Sequence, residues 1–377
     1  SIFLQLCFLL QAVPDAHCFF GLTSRDPVLT LTPNFEDSMR DLQQGQKVTP
    51  VDLCNMMVLQ RKQKQQCRKV KGVAETLVRA SQLSAVECQH QFQNERWNCS
   101  LGDYRKHILK KGFKETSFLY AISSAGIVHE ISRACAKGII DRCTCDESKD
   151  LENTETWRWG GCGDNIQFGM KFTRKFLHGG KRSEKDVRAQ VDEHNSEAGI
   201  KVVKNRAKTK CKCHGVSGSC TVKTCWLQLS SFADVGSALK SKYEKSTQVI
   251  AFTNQAAAKS QLMKLRPGYP NTKHPLTEPE IVPLKKSELT YIEKSPNFCL
   301  NSTYSAGTSG RYCTKKDNCD SICCGSGYNV QKLIIQRPCF CKRSGVVNSS
   351  VKLVLRRRRS ICANNIYIIQ RFKVTAQ

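Results

Sequence analysis

The sequence predicts a mainly α protein: a disulfide-braced helical N-terminal domain bearing a stapled β-hairpin, then a small cysteine-rich β domain. Three observations predict it. Cysteines number 22 in 377 residues and are irregularly spaced. Apolar residues recur at helical spacing from about Asp52 to Leu229. Cysteines then crowd together again from Cys299 onward. Thiols in this number are rare where glutathione keeps them reduced, so the framework is that of an oxidised, secreted protein.

The chain opens on SIFLQLCFLLQAVPDAHC. Its apolar run from Ile2 to Val13 is shorter than the about 20 residues a bilayer span needs. Residues 1–18 fit the hydrophobic part of a signal peptide lacking its Met and basic start, so the sequence reads as a fragment. Membrane association is expected through lipid only.

Residues 19–253 read as a helical domain. KQKQQCRKVKGVAETLVRASQLSAVECQHQF predicts one or two helices. FKETSFLYAISSAGIVHEISRAC places Phe118, Ala121, Ile122, Ala125 and Val128 on one face. KDVRAQVDEHNSEAGIKVVKNRA does the same with Val187, Val191, His194, Ala198 and Val202. No second ligand stands four residues from His194, which therefore reads as a packed core histidine. Residues 254–298 carry six prolines among lysines and read as a linker. Residues 299–341 form the cysteine-rich domain, dependent on bridges more than on a core. Residues 342–377 change character: a basic tail with the run Arg356–Arg359 and apolar patches without turn chemistry.

The formal net charge is +27. Outside the cell the abundant polyanions are sulfated glycans and anionic surfaces, so heparan sulfate is an expected partner and nucleic acid is not.

The stretch CKCHGVSGSC, residues 211–220, followed by TVKTCW, admits three readings. A zinc site would use Cys211, Cys213, His214 and Cys220 or Cys225. Structural zinc, however, sets paired ligands two to four residues apart, and Cys211 and Cys213 are closer than that. A nucleophile elbow needs G-x-S-x-G, which Gly215-Val216-Ser217-Gly218-Ser219 fails at its last position. A hairpin closed by Cys213 with Cys220, and by Cys211 with Cys225, encloses a turn of His214, Gly215, Val216, Ser217, Gly218 and Ser219. These two bridges do not share one strand register, so the outer one is expected to cross a bulge or the hairpin base. The tip would present the hydroxyl of Ser217 or of Ser219.

ECQHQFQNERWNCS (87–100), FKETSFLYAISSAG (113–126), RCTCDES (142–148), WRWGGCGDN (157–165) and CKCHGVSGSCTVKTCW (211–226) together resemble the Wnt family of secreted signalling proteins. FFGLTSRDP and YSAGTSGRYC (304–313) resemble its Wnt-nine subgroup. The resemblance covers roughly residues 19–341 and implies a ligand, not an enzyme, with no metal and no cofactor. It implies a palmitoleoyl group on Ser217, added by Porcupine and shielded by Wntless. That chain would enter the cysteine-rich domain of a Frizzled receptor, with low-density-lipoprotein-receptor-related co-receptors as further partners. It implies the pairs Cys54–Cys67, Cys88–Cys99, Cys135–Cys143, Cys145–Cys162, Cys211–Cys225, Cys213–Cys220, Cys299–Cys324 and Cys313–Cys319. The sequons at Asn98 and Asn301 are candidate glycosylation sites, and Asn348 begins a third within the tail. The implied location is extracellular matrix and cell surface.

Beyond Cys341 the resemblance stops, and the family's long cysteine-tipped hairpin is replaced by the tail. On that reading the C-terminal domain is incomplete, Cys323, Cys339 and Cys341 lose their partners, and the chain signals poorly. A retained intron, a frameshift or a faulty gene model would account for the change.

Overall fold

The computed structural model describes residues 19–20, 29–30, 49–57, 59–100, 102–146, 162–178, 187–221, 223–254, 259–266, 280–314, 318–335 and 355–362. The expected signal segment, Asn348, Cys339 and Cys341 lie outside them. The chain divides into two compact units, residues 1–91 with 101–295, and residues 92–100 with 296–377.

The first unit is helical. Helix α1 (Pro50–Met56) starts on a capping box in which Thr49 and Asp52 satisfy each other's backbone N–H groups. Helices α2 (Arg61–Lys69) and α3 (Val73–Gln91) are separate because Gly72 takes a left-handed φ of 82° between them. Helix α4 (Asp103–Leu109) precedes α5 (Lys114–Ala136), and α6 (Ile166–His178) and α7 (Val187–Arg206) follow.

Helix α5 is the axis of the unit, with α3, α6, α7 and a later helix, α8 (Phe232–Glu244), packed around it. The expected apolar face of Phe118, Ala121, Ile122, Ala125 and Val128 is buried, but so is nearly every other residue from Glu115 to Val128. Small polar residues make that possible. Ser84 donates to Ala80 O and Ile122 O, and Ser124 donates to Ala121 O and Ser196 O, so their hydroxyls enter the core satisfied. Gly199 lets α7 approach α5 closely: a Cβ there would stand 2.1 Å from Ala121 O.

His194 on α7 directs Nε2 to Glu288 O at 2.8 Å, and burial holds its pKa below the ordinary value of 6.5. It is a packed histidine with a backbone partner. Beside it Asn195 donates to Thr290 O and accepts from Thr290 N, both at 2.9 Å.

Two short segments, β1 (Phe19–Phe20) and β2 (Leu29–Thr30), pair antiparallel. Strands β3 (Lys208–Cys213) and β4 (Lys223–Gln228) form the hairpin. The stretch 254–298 differs from the linker expected there. It holds the end of β5 (Thr247–Asn254), then β6 (Lys259–Arg266), β7 (Glu280–Pro283) and β8 (Thr290–Tyr291), in a sheet ordered β7-β6-β5-β8. Proline does not prevent it, because Pro283 closes the edge strand β7, where a missing N–H is tolerated. The residues from Leu284 to Ser295 belong to the first unit.

In the second unit β9 (Tyr312–Cys313), α9 (Cys319–Ile322), β10 (Tyr328–Ile335) and β11 (Leu355–Cys362) surround a small buried group of Cys313, Cys319, Ile322 and Cys323, with Tyr328 against it. Phe92, Trp97 and Phe298 form a second buried aromatic group. The tail supplies β11, which lies between β10 and β9 and pairs antiparallel with β10 over eight positions. Pairing uses backbone N–H and C=O groups, which the arginines of β11 carry as well as any residue. Cys323 is disulfide-bonded, which corrects the expectation that it lacks a partner.

The stapled hairpin, a candidate ligand tip

The hairpin leaves α7 at Arg206 and is held at its base. Leu229 N donates to Asp164 Oδ2 at 2.8 Å, and Asp164 N donates to Leu227 O at 2.9 Å. Ser230 donates its hydroxyl to Arg206 O, and its own carbonyl receives His129 Nε2 at 3.2 Å. Asp164 is in turn placed by its neighbours. Asp146 N bonds to Gly163 O, and Cys145–Cys162 closes the same loop with a Cα separation of 5.2 Å. Sequence reading singled out the cysteines but missed Asp164 and His129. Asp164 stands two residues past Cys162, and that spacing was the available signal.

Along the arm the ladder is unbroken, with Cys211 opposite Cys225 and Cys213 opposite Lys223. Cys211–Cys225 is a direct cross-strand bridge with a Cα separation of 4.0 Å. Cys213–Cys220 spans 4.6 Å above the last ladder pair. The two bridges therefore need no bulge: Cys220 belongs to the loop, not to the strand, so it obeys no register.

The tip is a single 3₁₀ turn, Val216–Gly218. Gly215 N donates to Ser219 O and Gly218 N donates to Gly215 O, both at 2.9 Å. Glycine is required at 215, since a Cβ there would stand 2.6 Å from the backbone Ser219 O. Ser217 sits at φ 60°, ψ 23°, a left-handed conformation that costs an L-residue free energy and is imposed by the closed loop. Val216 is 91% exposed.

The two serines differ. Ser219 Oγ lies 3.1 Å from Thr221 Oγ1, whereas the exposed Ser217 hydroxyl makes no hydrogen bond among the described residues. His214 Nε2 lies 3.0 Å from Thr224 Oγ1, which ties the imidazole to the strand β4 side of the hairpin. Cys211, Cys213, Cys220 and Cys225 are all bridged, so none offers a thiolate to a metal.

Elsewhere the structure brings together Cys54 with Cys67, Cys135 with Cys143, Cys299 with Cys324 and Cys313 with Cys319. Cys88 and Cys99 are each disulfide-bonded. Asn98 is half-buried and accepts from Ser100 Oγ at 2.7 Å, while Asn301 is exposed. No described helix is long and apolar enough to cross a membrane.

A family model described as the wnt family matches residues 55–351, running past Cys341. Protein Wnt-9a of Gallus gallus is 48% identical over 336 residues, covering 89% of this chain and 91% of that protein. Protein Wnt-9b of Homo sapiens is 46% identical over 338 residues, covering 89% and 90%. Among solved structures, a chain of human WLS in complex with WNT8A superposes with a TM-score of 0.53 at 31% identity. That match covers 77% of this chain and 94% of the other.

Proposed function

The chain belongs to the Wnt family, alongside its Wnt-9 members, and on that premise we propose that it is a secreted ligand acting through a palmitoleoyl group on Ser217. The carrying observation is the contrast at the tip. Ser217 is exposed, left-handed and without a hydrogen-bond partner among the described residues, while Ser219 is engaged by Thr221.

An acyl chain supplies a large, undirected attraction of about 0.8 kcal/mol per buried methylene. The hairpin supplies direction. Its two bridges and clamped base hold the chain clear of the protein body and keep the ordering cost of binding small. The receptor groove is then that of a Frizzled cysteine-rich domain, with a low-density-lipoprotein-receptor-related protein as co-receptor. Porcupine would attach the chain. WNT8A of the solved relative is in complex with WLS, and we extend such a carrier to this protein. The net charge of +27 supports retention on heparan sulfate at the cell surface and in matrix. Beyond residue 351 the chain lies outside the family match, and we take receptor activation, rather than acylation, to be what the tail weakens.

The test is a pair of variants secreted from acyl-labelled cells. Ser217→Ala should lose both the label and binding to a Frizzled cysteine-rich domain, and Ser219→Ala should keep both. Label retained on Ser217→Ala would overturn the assignment.

A further inference from the structure

We infer that the outer face of α2 and the hollow beside it are a docking site for a sulfated glycan chain. The inference rests on the glycan reading above and gives it a place.

The hollow, about 810 Å³, is lined by Leu59, Arg61, Lys64, Gln65, Arg68 and Lys69. Four of these six are cations and none is an acid. None of the four meets a carboxylate within ion-pair distance among the described residues. Like charges packed along one short helix repel, so the arrangement is stabilised by whatever anion it receives.

The face is also fixed. Cys67 is fully buried and bridged to Cys54, and the buried Gln63 donates to Phe176 O at 3.1 Å. Gln66 donates to Lys175 O at 3.2 Å. These contacts pin the inner side of α2 to α1 and α6, so the helix cannot roll to hide its cations. On the outer side Arg68 is anchored through Asn55 Oδ1. Arg61 and Lys69 are then separated along the helix by about 12 Å, at 1.5 Å per residue. A single small anion cannot use that span, whereas a chain bearing repeated sulfates can. The open, concave setting concentrates the field on such a chain, and the paired arginines offer planar donor forks to its oxyanions. The disulfide framework places the protein among extracellular polyanions, which selects a sulfated glycan over nucleic acid.

The experiment compares the full secreted chain with two variants of equal charge. One is Arg61→Ser/Lys64→Ser/Lys69→Ser. The other, a control, is Lys285→Ser/Lys286→Ser/Lys294→Ser, at exposed positions elsewhere in the same unit. Each is eluted with salt from heparin and from a plain sulfonate resin, with the circular dichroism spectrum checked for each. The α2 variant should leave heparin at clearly lower salt than the control, and bind a heparin octasaccharide at least tenfold more weakly. On the sulfonate resin the two should elute together. Equal loss from heparin for both variants would overturn the site while leaving glycan binding intact. Wild-type protein eluting from heparin at no higher salt than from sulfonate would overturn the glycan reading itself. Stronger binding to an oligonucleotide of matched charge would overturn the choice of ligand.

Discussion

Glu115 is a carboxylate in the core of the helical unit, 4% exposed, between α5, α8 and the segment that ends at Ser295. Tyr243 donates its hydroxyl to Oε1 at 2.9 Å, and Ser295 donates to Oε2. Burial nonetheless outweighs these donors and holds the pKa above its ordinary value of 4.5. The folded protein therefore takes up this proton more readily than the unfolded chain does. The contribution of Glu115 to stability is complete below 4.5 and is lost as pH rises through the folded-state pKa. Glu115→Gln should flatten that part of the profile. Urea unfolding of both proteins between about pH 4 and about pH 8 measures it, and an unchanged slope would count against the assignment. His194 carries the opposite sign: burial lowers its pKa, so its contribution is lost as pH falls below 6.5.

At the scale of elements, the two bridges of the hairpin do different work. Cys211–Cys225 joins residues that the ladder already pairs, so its removal leaves the strand hydrogen bonds in place. Cys213–Cys220 closes a loop that no ladder pair closes, and it holds Ser217 in its left-handed conformation. Replacing Cys213 and Cys220 by serine should raise amide exchange across residues 215–219 by about tenfold or more, whereas the same change at Cys211 and Cys225 should leave those amides nearly unaltered. Equal effects would show that the outer bridge carries the tip. Much of this hairpin was legible in the sequence, because cysteine, glycine and serine at those spacings leave few alternatives. Its register was not, since residue spacing does not reveal that Cys220 sits above the ladder. Helix α5 was legible as a helix with one apolar face, but its spacing does not show that Ser124 and Gly126, off that face, are buried too. Only packing shows that their small size admits neighbouring helices. The strands from Lys259 to Tyr291 were hidden for a related reason: strand pairing depends on partners elsewhere along the chain, whereas proline-rich composition is a local signal for linker.

Across the whole molecule, the two units rest on different forces. The first buries a continuous cluster that includes Leu53, Leu77, Ile127, Ile131 and Phe176, residues whose burial each contributes on the order of 1.5–3 kcal/mol. In the second unit the cluster under α9 is Cys313, Cys319, Ile322 and Cys323, so most of its apolar atoms are themselves in disulfides. Inside the loop that Cys313–Cys319 closes, Asn318 N and Cys319 N donate to Thr314 O at 3.0 and 3.3 Å, and Thr314 N donates to Asn318 Oδ1 at 2.8 Å. Loss of a bridge from so small a core typically costs 2–5 kcal/mol, which a unit of this size cannot absorb. Graded reduction should therefore separate the units. At a reductant concentration that first opens Cys299–Cys324 and Cys313–Cys319, amides of α9 and β10 should lose protection while those of α5 and α7 keep theirs. Hydrogen exchange read by mass spectrometry resolves the two regions in one experiment. Simultaneous loss in both would mean that the units unfold as one, and that the helical core draws its stability from the bridges as well.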